Sequence, residues 1–416
     1  EPEIPLKSYR KDKTLTLKKL GEALQANPDS LFKNKRSEIV NKLADQYKFF
    51  HNELEFIEVF KERGGFDIAV GNPPWLKMTF EAKSIIVEKR PEIEVKNYDA
   101  NAVEEVLNEL LNNDESLKEL FLIENIELDS IATFLNGFQN YPLLKGQQTN
   151  LYKCILSNTF NITSKEGFIG LLHPETIFDD PNGQPLREEI YPRLKYYFRF
   201  QNALKLFAEI GDRKKYCSVI YSGNKNEIAI KAINNLFHPS TIDASFSHNG
   251  YGLAGGIKTK EEKSEKFEWN LKGHKDRILN ISLNELKLFS ELFENGASPI
   301  SCKLVSFHAN SMVDILRTLN EFPYNVSSFD YLTTTCLDET NAVKKSKVIK
   351  RNTKIPDIDK YELIYSGPHF YVSQPIYKTP RSVCTEKGHY DIVDISSIDE
   401  SFIARTNYVP TNEDNF

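Results

Sequence analysis

The chain has 416 residues, 40% of them hydrophobic, which is enough for two or three domains with sizeable cores. Its 27 Phe and 19 Tyr argue against a disordered protein, and its five cysteines lack the Cys-x-x-Cys pairing of a zinc ribbon or a disulfide framework. A net charge of −6 requires any nucleic-acid partner to use a local basic patch, and the lack of a long apolar run or signal peptide indicates a cytoplasmic protein without a membrane span.

The first 62 residues are charged and have helical periodicity, so we interpret 1–62 as a helical lead-in. The segment "RGGFDIAVG" then predicts a turn followed by a buried strand. From about residue 80 to 145 the chain is acidic and low in glycine, and "NAVEEVLNELLNNDESLKELFLI" is its clearest helix. We expect this stretch to be a helical insertion.

Helices and strands alternate after the insertion. "NLYKCILSNTFNI" (150–162) predicts a helix, "FIGLLHP" (168–174) a strand, "LREEIYPRLKYYF" (186–198) a helix and "CSVIYSG" (217–223) a strand. This alternation predicts a parallel sheet of the α/β class over residues 63–228. Beyond residue 228 the pattern changes to shorter strands, loops and charge clusters, so we expect a second, α+β domain over 229–416.

The strand at 66–70 stops at Gly71-Asn72-Pro73-Pro74-Trp75 because proline cannot continue a sheet ladder. The side-chain carbonyl of Asn72 and the backbone carbonyl of Pro73 are two acceptors that could accept both hydrogens of an amino group. Trp75 offers a flat face to a ring that carries this amine. The pattern suits the exocyclic amine of adenine, or else a primary amide. A simple turn after a strand is the alternative.

These residues resemble the (Asn/Asp/Ser)-Pro-Pro-(Tyr/Phe/Trp) hallmark of amino-group DNA methyltransferases that use S-adenosylmethionine and place target recognition last. Asn150 and Leu151 are similar to the family's Asp-Leu-Tyr segment beside the cofactor, with Asn in place of Asp. "LFAEIGDRKKYCSVIYSG" (206–223) is similar to the segment whose aromatic residue, here Phe207, stacks on the extruded base. The resemblance implies methyl transfer to adenine N6 in double-stranded DNA, with the base between Trp75 and Phe207. It also implies a Rossmann-like methyltransferase sheet.

The same resemblance implies a glycine-rich cofactor loop, and none precedes Asn72. We therefore expect residues 63–228 to be the C-terminal half of the catalytic domain. The first strands and most of the cofactor pocket would lie upstream of Glu1 or on a partner subunit. "GYGLAGG" (250–256) has a Gly-x-Gly-x-x-Gly pattern, but the charged stretch after it lacks an apolar helical face. We favour a flexible loop there over a permuted cofactor loop.

Several basic residues of the C-terminal part are candidates for DNA contact, because lysine binds phosphate well. They are Lys272, Lys275, Arg277, Lys344, Lys345, Lys347, Lys350, Arg351 and Lys354. A merely solvated face is the alternative for such a run. His274 and His369 have no His or Cys at ligand spacing, so no metal site is predicted.

The sequence thus predicts the C-terminal part of an adenine-N6 DNA methyltransferase of a restriction-modification or phage-defence system, with residues 229–416 as the DNA target recognition domain. Two alternatives stay open. One is a protein-glutamine or tRNA methyltransferase, which can share the Asn-Pro-Pro corner. The other is a DNA-recognition module without catalytic activity.

Overall fold

The computed structural model describes residues 35–80, 82–96, 98–147, 150–260, 267–324, 339–351, 378–380, 390–392 and 408–411, with a few isolated residues besides. The chain divides into two compact units, Glu1–Pro323 and Tyr324–Phe416, and each is described by itself. In the described part, no helix combines the length and the apolar character that a membrane crossing requires.

Among residues 35–63, three helices lead into the first strand of unit one. They are α1 (Lys35–Tyr47), α2 (Asn52–Glu55) and α3 (Ile57–Arg63), and β1 follows at Phe66–Gly71. Helix α3 ends at Gly64, which has a left-handed φ of 72° and donates its N–H to the carbonyl of Phe60. The rings of Phe56 and Phe60 pack edge-on against Phe66, with centroids 5.2 and 5.6 Å away. These contacts fix where the strand begins.

Helices fill the chain between β1 and the next strand. They are α4 (Ala82–Lys89), α5 (Glu92–Val95), α6 (Ala100–Asn113), α7 (Glu115–Asn136) and α8 (Leu151–Ile162). Asp99 and Asp114 cap α6 and α7, since each carboxylate accepts a backbone N–H of the first turn. The interval from 80 to 145, where we expected a helical insertion, therefore contains α4 to α7.

A six-stranded sheet forms the centre of unit one. Its strands are β1, β2 (Thr163–Pro174), β3 (Leu194–Gln201), β4 (Lys215–Ser222), β5 (Ala229–Leu236) and β8 (Leu279–Ser282), in the order β1-β2-β4-β3-β5-β8. The elements between and after these strands are α9 (Gln184–Ile190), α10 (Ser240–Ser247), β6 (Lys258–Lys260), β7 (Phe267–Trp269), α11 (Leu283–Phe293) and α12 (Asn310–Asn320).

The predicted α/β class is confirmed, but the sheet is mixed rather than parallel. β1 pairs with β2 and β3 with β5 in parallel, whereas β4 is antiparallel to both β2 and β3, and β8 is antiparallel to β5. The expectation of a parallel sheet was wrong because the helix predicted over 186–198 ends at Ile190 and Leu194–Gln201 form strand β3, which residues 202–214 join to β4 without an α-helix. A parallel neighbour usually needs a helical crossover, whereas this loop contains only a 3-10 turn at Asn202–Leu204.

The two faces of this sheet differ in cover. On one face, Ile169 and Val219 are buried in a core with Leu156 of α8, Ile190 of α9 and Phe289 of α11. The other face carries Ile68, Val70 and Phe168 at β1 and β2, with exposed fractions of 69%, 80% and 51%. Register confirms the shared face, since Ile68 pairs with Phe168. In the described part, β1 is also an edge strand.

Unit two contains short elements. They are α13 (Glu339–Lys344), β9 (Ile349–Arg351), β10 (Lys378–Pro380), β11 (Tyr390–Ile392) and β12 (Tyr408–Pro410). β9 pairs with β12 and β10 with β11, both antiparallel. Ile349 and Val409 are buried where β9 meets β12. The domain boundary expected after residue 228 falls between β4 and β5 of one continuous sheet, and the division into units lies at Pro323/Tyr324.

Candidate active site

The Asn-Pro-Pro-Trp corner lies at one edge of the sheet. β1 ends at Gly71, after which Asn72 is exposed, Pro73 is buried and Trp75 is half-buried. β1 is parallel to β2, and β2 and β3 both run antiparallel to β4, so β1, β2 and β3 end at the same edge. Open α/β sheets bind ligands at this carboxyl edge. The corner is therefore in the position where such a sheet presents its chemistry.

Two carbonyl oxygens at the corner have no hydrogen-bond partner within the described residues. In the described part of the chain, no hydrogen bond occupies the side chain of Asn72 or the carbonyl oxygen of Pro73. The ring of Pro73 fixes its own φ, and Pro74 restricts the backbone of Pro73 to extended conformations. The two acceptors are thus attached to a rigid piece of backbone, as a site for an amino group requires.

Trp75 lies in an aromatic cluster with Phe207 and Tyr216. The Trp75 centroid is 5.9 Å from that of Phe207, with an interplanar angle of 60°, and 5.9 Å from that of Tyr216, at 33°. Phe207 and Tyr216 meet edge-on at 5.0 Å. The indole N–H of Trp75 donates to the carbonyl of Leu172 at 3.3 Å, which ties the corner to the end of β2. The fold therefore brings together Trp75 and Phe207, which are 132 positions apart in the sequence.

The start of α8 is attached to the same corner. The N–H of Leu151 donates to the carbonyl of Leu76 at 3.0 Å, and Lys77 forms an isolated β-bridge with Asn150. Asn150 caps α8, since its side chain accepts the N–H of Tyr152 at 3.4 Å. Asn150 and Leu151, expected beside the cofactor, are thus adjacent to the segment after Trp75. The side-chain oxygen of Asn150 is the N-cap acceptor of α8.

A buried polar network holds β2 behind the corner. The Nδ1 of His173 donates to the carbonyl of Pro174 at 2.8 Å, and Nε2 lies 3.1 Å from the hydroxyl of Tyr221. The ring of Tyr152 stacks on His173 with centroids 5.4 Å apart. Complete burial lowers the pKa of His173 to about 4, so the ring is neutral at physiological pH. A neutral imidazole with both nitrogens engaged is a structural element of the covered face.

A buried ion pair connects α8 with the loop after β2. The ammonium group of Lys153 donates to Asp180 at 2.7 Å and to the side-chain carbonyl of Gln147 at 2.8 Å. Lys153 is only 5% exposed, so losing either partner would leave a charge without full compensation. This ion pair helps to hold Asn150 and the start of α8 at the corner.

The basic residues near 275 have two different environments. Lys272 and Lys275 are exposed, and Lys275 lines a cavity of about 470 Å³ together with Lys231 and Phe246. Arg277 is fully buried and donates to the backbone carbonyls of Lys272, Asn234 and Asn235. Burial lowers the pKa of Arg277 to about 10. Its guanidinium joins backbone segments and is not available to a phosphate.

The lysine run of unit two is accessible. Lys344, Lys345, Lys347 and Lys350 are exposed, from the end of α13 to β9. Arg351 ends β9, and Lys354 lies outside the described residues. The four lysines can therefore reach a phosphate backbone, as proposed below.

The glycine segment at 250–256 is a loop. Gly250, Gly252 and Gly255 have φ values of 93°, 89° and 69°, and Leu253 is 95% exposed. The segment leads into strand β6, whereas a dinucleotide-type loop opens a helix. The segment is thus a loop that leads to a strand and not to a helix.

Tyr216 is the member of the aromatic cluster that the sequence did not reveal. It pairs with Phe200 across β3 and β4, and their rings stack with centroids 5.3 Å apart and planes 5° from parallel. The alternation of Tyr216, Ser218 and Ile220 could have placed it on a strand face. Only the antiparallel register of β4 decides that this face is the one beside Trp75.

Comparison with known proteins gives one family match. Residues 6–105 match the family described as Eco57I restriction-modification methylase. The matched region contains β1 and the Asn-Pro-Pro-Trp corner, so the resemblance to restriction-modification methylases is confirmed there. No curated protein matches the chain.

Several solved structures of restriction-modification proteins align weakly with parts of the chain. The type I methyltransferase subunit from Streptococcus thermophilus is 11% identical over 44% of this chain and 29% of its own, with a TM-score of 0.23. The M protein of the type I restriction enzyme EcoKI is 10% identical over 42% and 44%, with a TM-score of 0.24. The Type ISP enzyme LlaGI, solved with a DNA substrate mimic, is 11% identical over 40% and 12%, also with 0.24. The chain spans less than half the length of each, and TM-scores this low do not establish a common fold.

Proposed function

We propose, from the resemblance of this chain to restriction-modification methylases, that it is part of a DNA methyltransferase that methylates adenine at N6 in a specific duplex sequence. The methyl donor would be S-adenosylmethionine, and the biological setting restriction-modification or a related phage defence. The observation that carries the proposal is the Asn72-Pro73-Pro74-Trp75 corner at the carboxyl edge of the sheet, facing Phe207 and Tyr216.

The corner suits an amine that attacks an electrophile. The amide oxygen of Asn72 and the carbonyl oxygen of Pro73 would accept the two N–H bonds of adenine N6. Accepting both N–H groups would draw the nitrogen toward tetrahedral geometry and leave its lone pair free for attack. S-adenosylmethionine, when bound, would supply the electrophilic methyl group. The nitrogen would lose its extra proton to water after transfer, so no general base is needed before it. Asn72 would act by positioning and by electrostatic stabilisation of the developing positive charge.

The aromatic cluster favours a planar base over a primary amide. A base in a duplex is inaccessible, so an enzyme that acts on N6 must extrude it and hold it by stacking. A base between two parallel rings needs about 7 Å between ring centres, twice the stacking distance of about 3.4 Å. Trp75 and Phe207 are 5.9 Å apart and tilted by 60°. The proposed sandwich therefore requires one of the two rings to move outward as the base enters.

The cofactor pocket is incomplete in the described residues. S-adenosylmethionine needs close backbone approach, which a glycine-rich loop supplies, and the corner offers only carbonyl acceptors and Trp75. In the described part, β1 is an open edge and its Ile68 and Val70 are exposed, which supports a further segment at this position. Sheets of this class are normally covered on both faces. We therefore propose that a further segment of the protein, or a partner subunit, adds strands at β1 and brings the cofactor loop.

DNA contact is proposed for the exposed basic residues. Lys272, Lys275 and Lys231 lie at or near one cavity of unit one, and the lysine run belongs to unit two. Lysine is a point charge that suits phosphate, whereas reading of base edges favours bidentate side chains. Arg277 is left out of the proposed DNA interface because its guanidinium is buried.

The test is product analysis with the natural full-length enzyme and its Asn72→Ala variant. Wild-type enzyme should produce N6-methyladenine in duplex DNA, identified by mass spectrometry of the nucleosides. Asn72→Ala should lower the rate by roughly a hundredfold or more while duplex binding persists, because the lost acceptor acts during transfer. Near-normal methylation by Asn72→Ala would remove the site assignment. If the methylated product were cytosine or a protein amide, that group and not adenine N6 would be the substrate.

A further inference from the structure

One buried amide holds the loop between β3 and β4. Asn202 has no exposed surface, and its side-chain N–H groups donate to the carbonyls of Phe207 at 2.8 Å and Ile210 at 2.7 Å. Its side-chain oxygen accepts the N–H of Phe207 at 3.0 Å. The backbone N–H of Asn202 also donates to the carbonyl of Lys214 at 2.9 Å, which closes the base of the loop. The side chain thus binds Phe207 on both sides of its Cα.

Apart from the amide of Asn202, local backbone hydrogen bonds order this loop, and they join Lys205 to Asn202, Ile210 to Phe207 and Lys214 to Gly211. Leu204 and Leu206 are 44% and 42% exposed, and residues 211–215 are all exposed. Only Phe207 and Ile210 turn partly inward, besides Ala203 at the base. Lys205 has a left-handed φ of 51°, a conformation that costs a non-glycine residue free energy. An exposed, locally strained loop keeps one conformation only if specific contacts hold it, and the amide of Asn202 supplies three.

We propose that Asn202 is a positioning residue that sets the Phe207 wall of the base-binding site for an extruded purine. This rests on the proposed function. Because both backbone groups of Phe207 are fixed, the ring can turn about its side-chain bonds without unfolding the loop. Such a turn can widen the 5.9 Å gap to Trp75 and still return the ring onto the base. A freely moving loop would lose this alignment, and a displacement of about 1 Å can cost about a hundredfold in rate.

The hydrogen bonds of the Asn202 side chain reach further along the sequence than those of an ordinary turn. A side chain that only initiates a turn bonds backbone groups about two residues onward. Asn202 instead reaches five and eight residues ahead, and it satisfies both backbone groups of Phe207, an aromatic residue that faces Trp75.

The experiment uses the natural full-length enzyme with 2-aminopurine at the target position of the duplex, whose fluorescence rises on extrusion. The variants are Asn202→Ala, Asn202→Asp and a matched control, Asn234→Ala. Asn234 is equally buried, and its side chain donates to the carbonyl of Phe307 at 2.9 Å. Asn202→Ala should lower kcat by about 10- to 100-fold and reduce the fluorescence rise, while duplex affinity changes by less than about threefold. Asn234→Ala should change neither kcat nor fluorescence.

Asn202→Asp adds a readout that a merely structural role would not give. Its carboxylate can still accept the N–H of Phe207 but cannot donate to the two carbonyls. Below its pKa, which burial would raise, the introduced carboxyl group regains one donor. The kcat of Asn202→Asp relative to wild type should therefore recover as the pH falls. A constant ratio would contradict the hydrogen-bond account.

The outcomes separate this inference from the function on which it rests. If wild type neither methylates DNA nor raises the fluorescence, both the proposed function and the stacking role are wrong. If wild type does both and Asn202→Ala equals it, or if Asn202→Ala and Asn234→Ala lose activity equally, only the positioning role is wrong.

Discussion

The two faces of the central sheet carry similar residues but have different environments at β1 and β2, although the second face is covered at β3 to β5 by a core that includes Phe200, Tyr216 and Ile233. Ile169 on the covered face is completely buried, and its neighbours come from α8, α9 and α11. Ile68, on the adjacent strand and the opposite face, is 69% exposed. Monomeric proteins seldom leave a contiguous apolar sheet surface in water. This difference is the basis of our proposal that further polypeptide covers the exposed surface at β1 and β2.

The largest expected effect comes from the same substitution on the two faces. Ile169→Ala should lower the free energy of unfolding of this chain by about 2–5 kcal/mol, because it leaves a cavity in a packed core. Ile68→Ala should lower it by less than about 0.5 kcal/mol. Urea denaturation of both variants measures this. Equal losses would show that the open face is already covered.

A pH dependence probes the covered face. The pKa of His173 is lowered by burial to about 4 from its usual 6.5, so the unfolded chain binds the extra proton between these values. The free energy of unfolding should therefore be highest above pH 6.5. The contribution of His173 should fall toward pH 4 by about 1.4 kcal/mol per unit, or about 3 kcal/mol in all, and His308, whose pKa burial also lowers to about 4, contributes in the same direction.

Denaturation of wild type and His173→Gln across pH 4–7 tests this. His173→Gln should flatten the slope by up to one proton. If His173→Gln keeps the full slope, other groups are responsible.

A charge on the open face tests whether a cofactor-bearing segment covers it. Val70→Lys should hardly change the stability of this chain, because Val70 is 80% exposed. In the natural full-length enzyme it should weaken S-adenosylmethionine binding in calorimetry by about tenfold, which is about 1.4 kcal/mol.

Leu253→Lys is the matched control in the glycine segment at 250–256, and we expect no effect on the cofactor. Loss of binding with Leu253→Lys alone would favour the permuted cofactor loop. This chain by itself should bind S-adenosylmethionine weakly or not at all, and micromolar affinity would also contradict the proposal of a missing segment.

The smallest expected effect is on DNA affinity. It tests whether DNA contacts the lysine run of unit two rather than the open face of the sheet. Joint replacement of Lys344, Lys345, Lys347 and Lys350 by Gln should weaken binding to all duplex sequences alike. It should reduce the slope of log affinity against log salt by about 0.9 for each phosphate that the variant no longer neutralises. Titrations at several salt concentrations measure this, with the exposed Lys42→Gln as control. A changed sequence preference, or an unchanged slope, would show that the run does not bind the phosphate backbone.

The sequence by itself determined the local features of this protein. Two consecutive prolines end β1 whichever strand it pairs with, so the Asn-Pro-Pro-Trp corner was predictable. The strand before it, the helices after it and the loop character of residues 250–256 follow equally from dihedral preferences and periodicity.

Only the tertiary structure decided which distant segments meet. It made β4 antiparallel, and so placed Tyr216 beside Trp75. It turned Arg277 inward, directed the amide of Asn202 to the backbone of Phe207, and left Ile68 and Val70 on an open face. The physical reason is that strand pairing and burial depend on interactions between residues far apart in the chain. Alternating residues show that a strand has two faces but do not show which of them is covered.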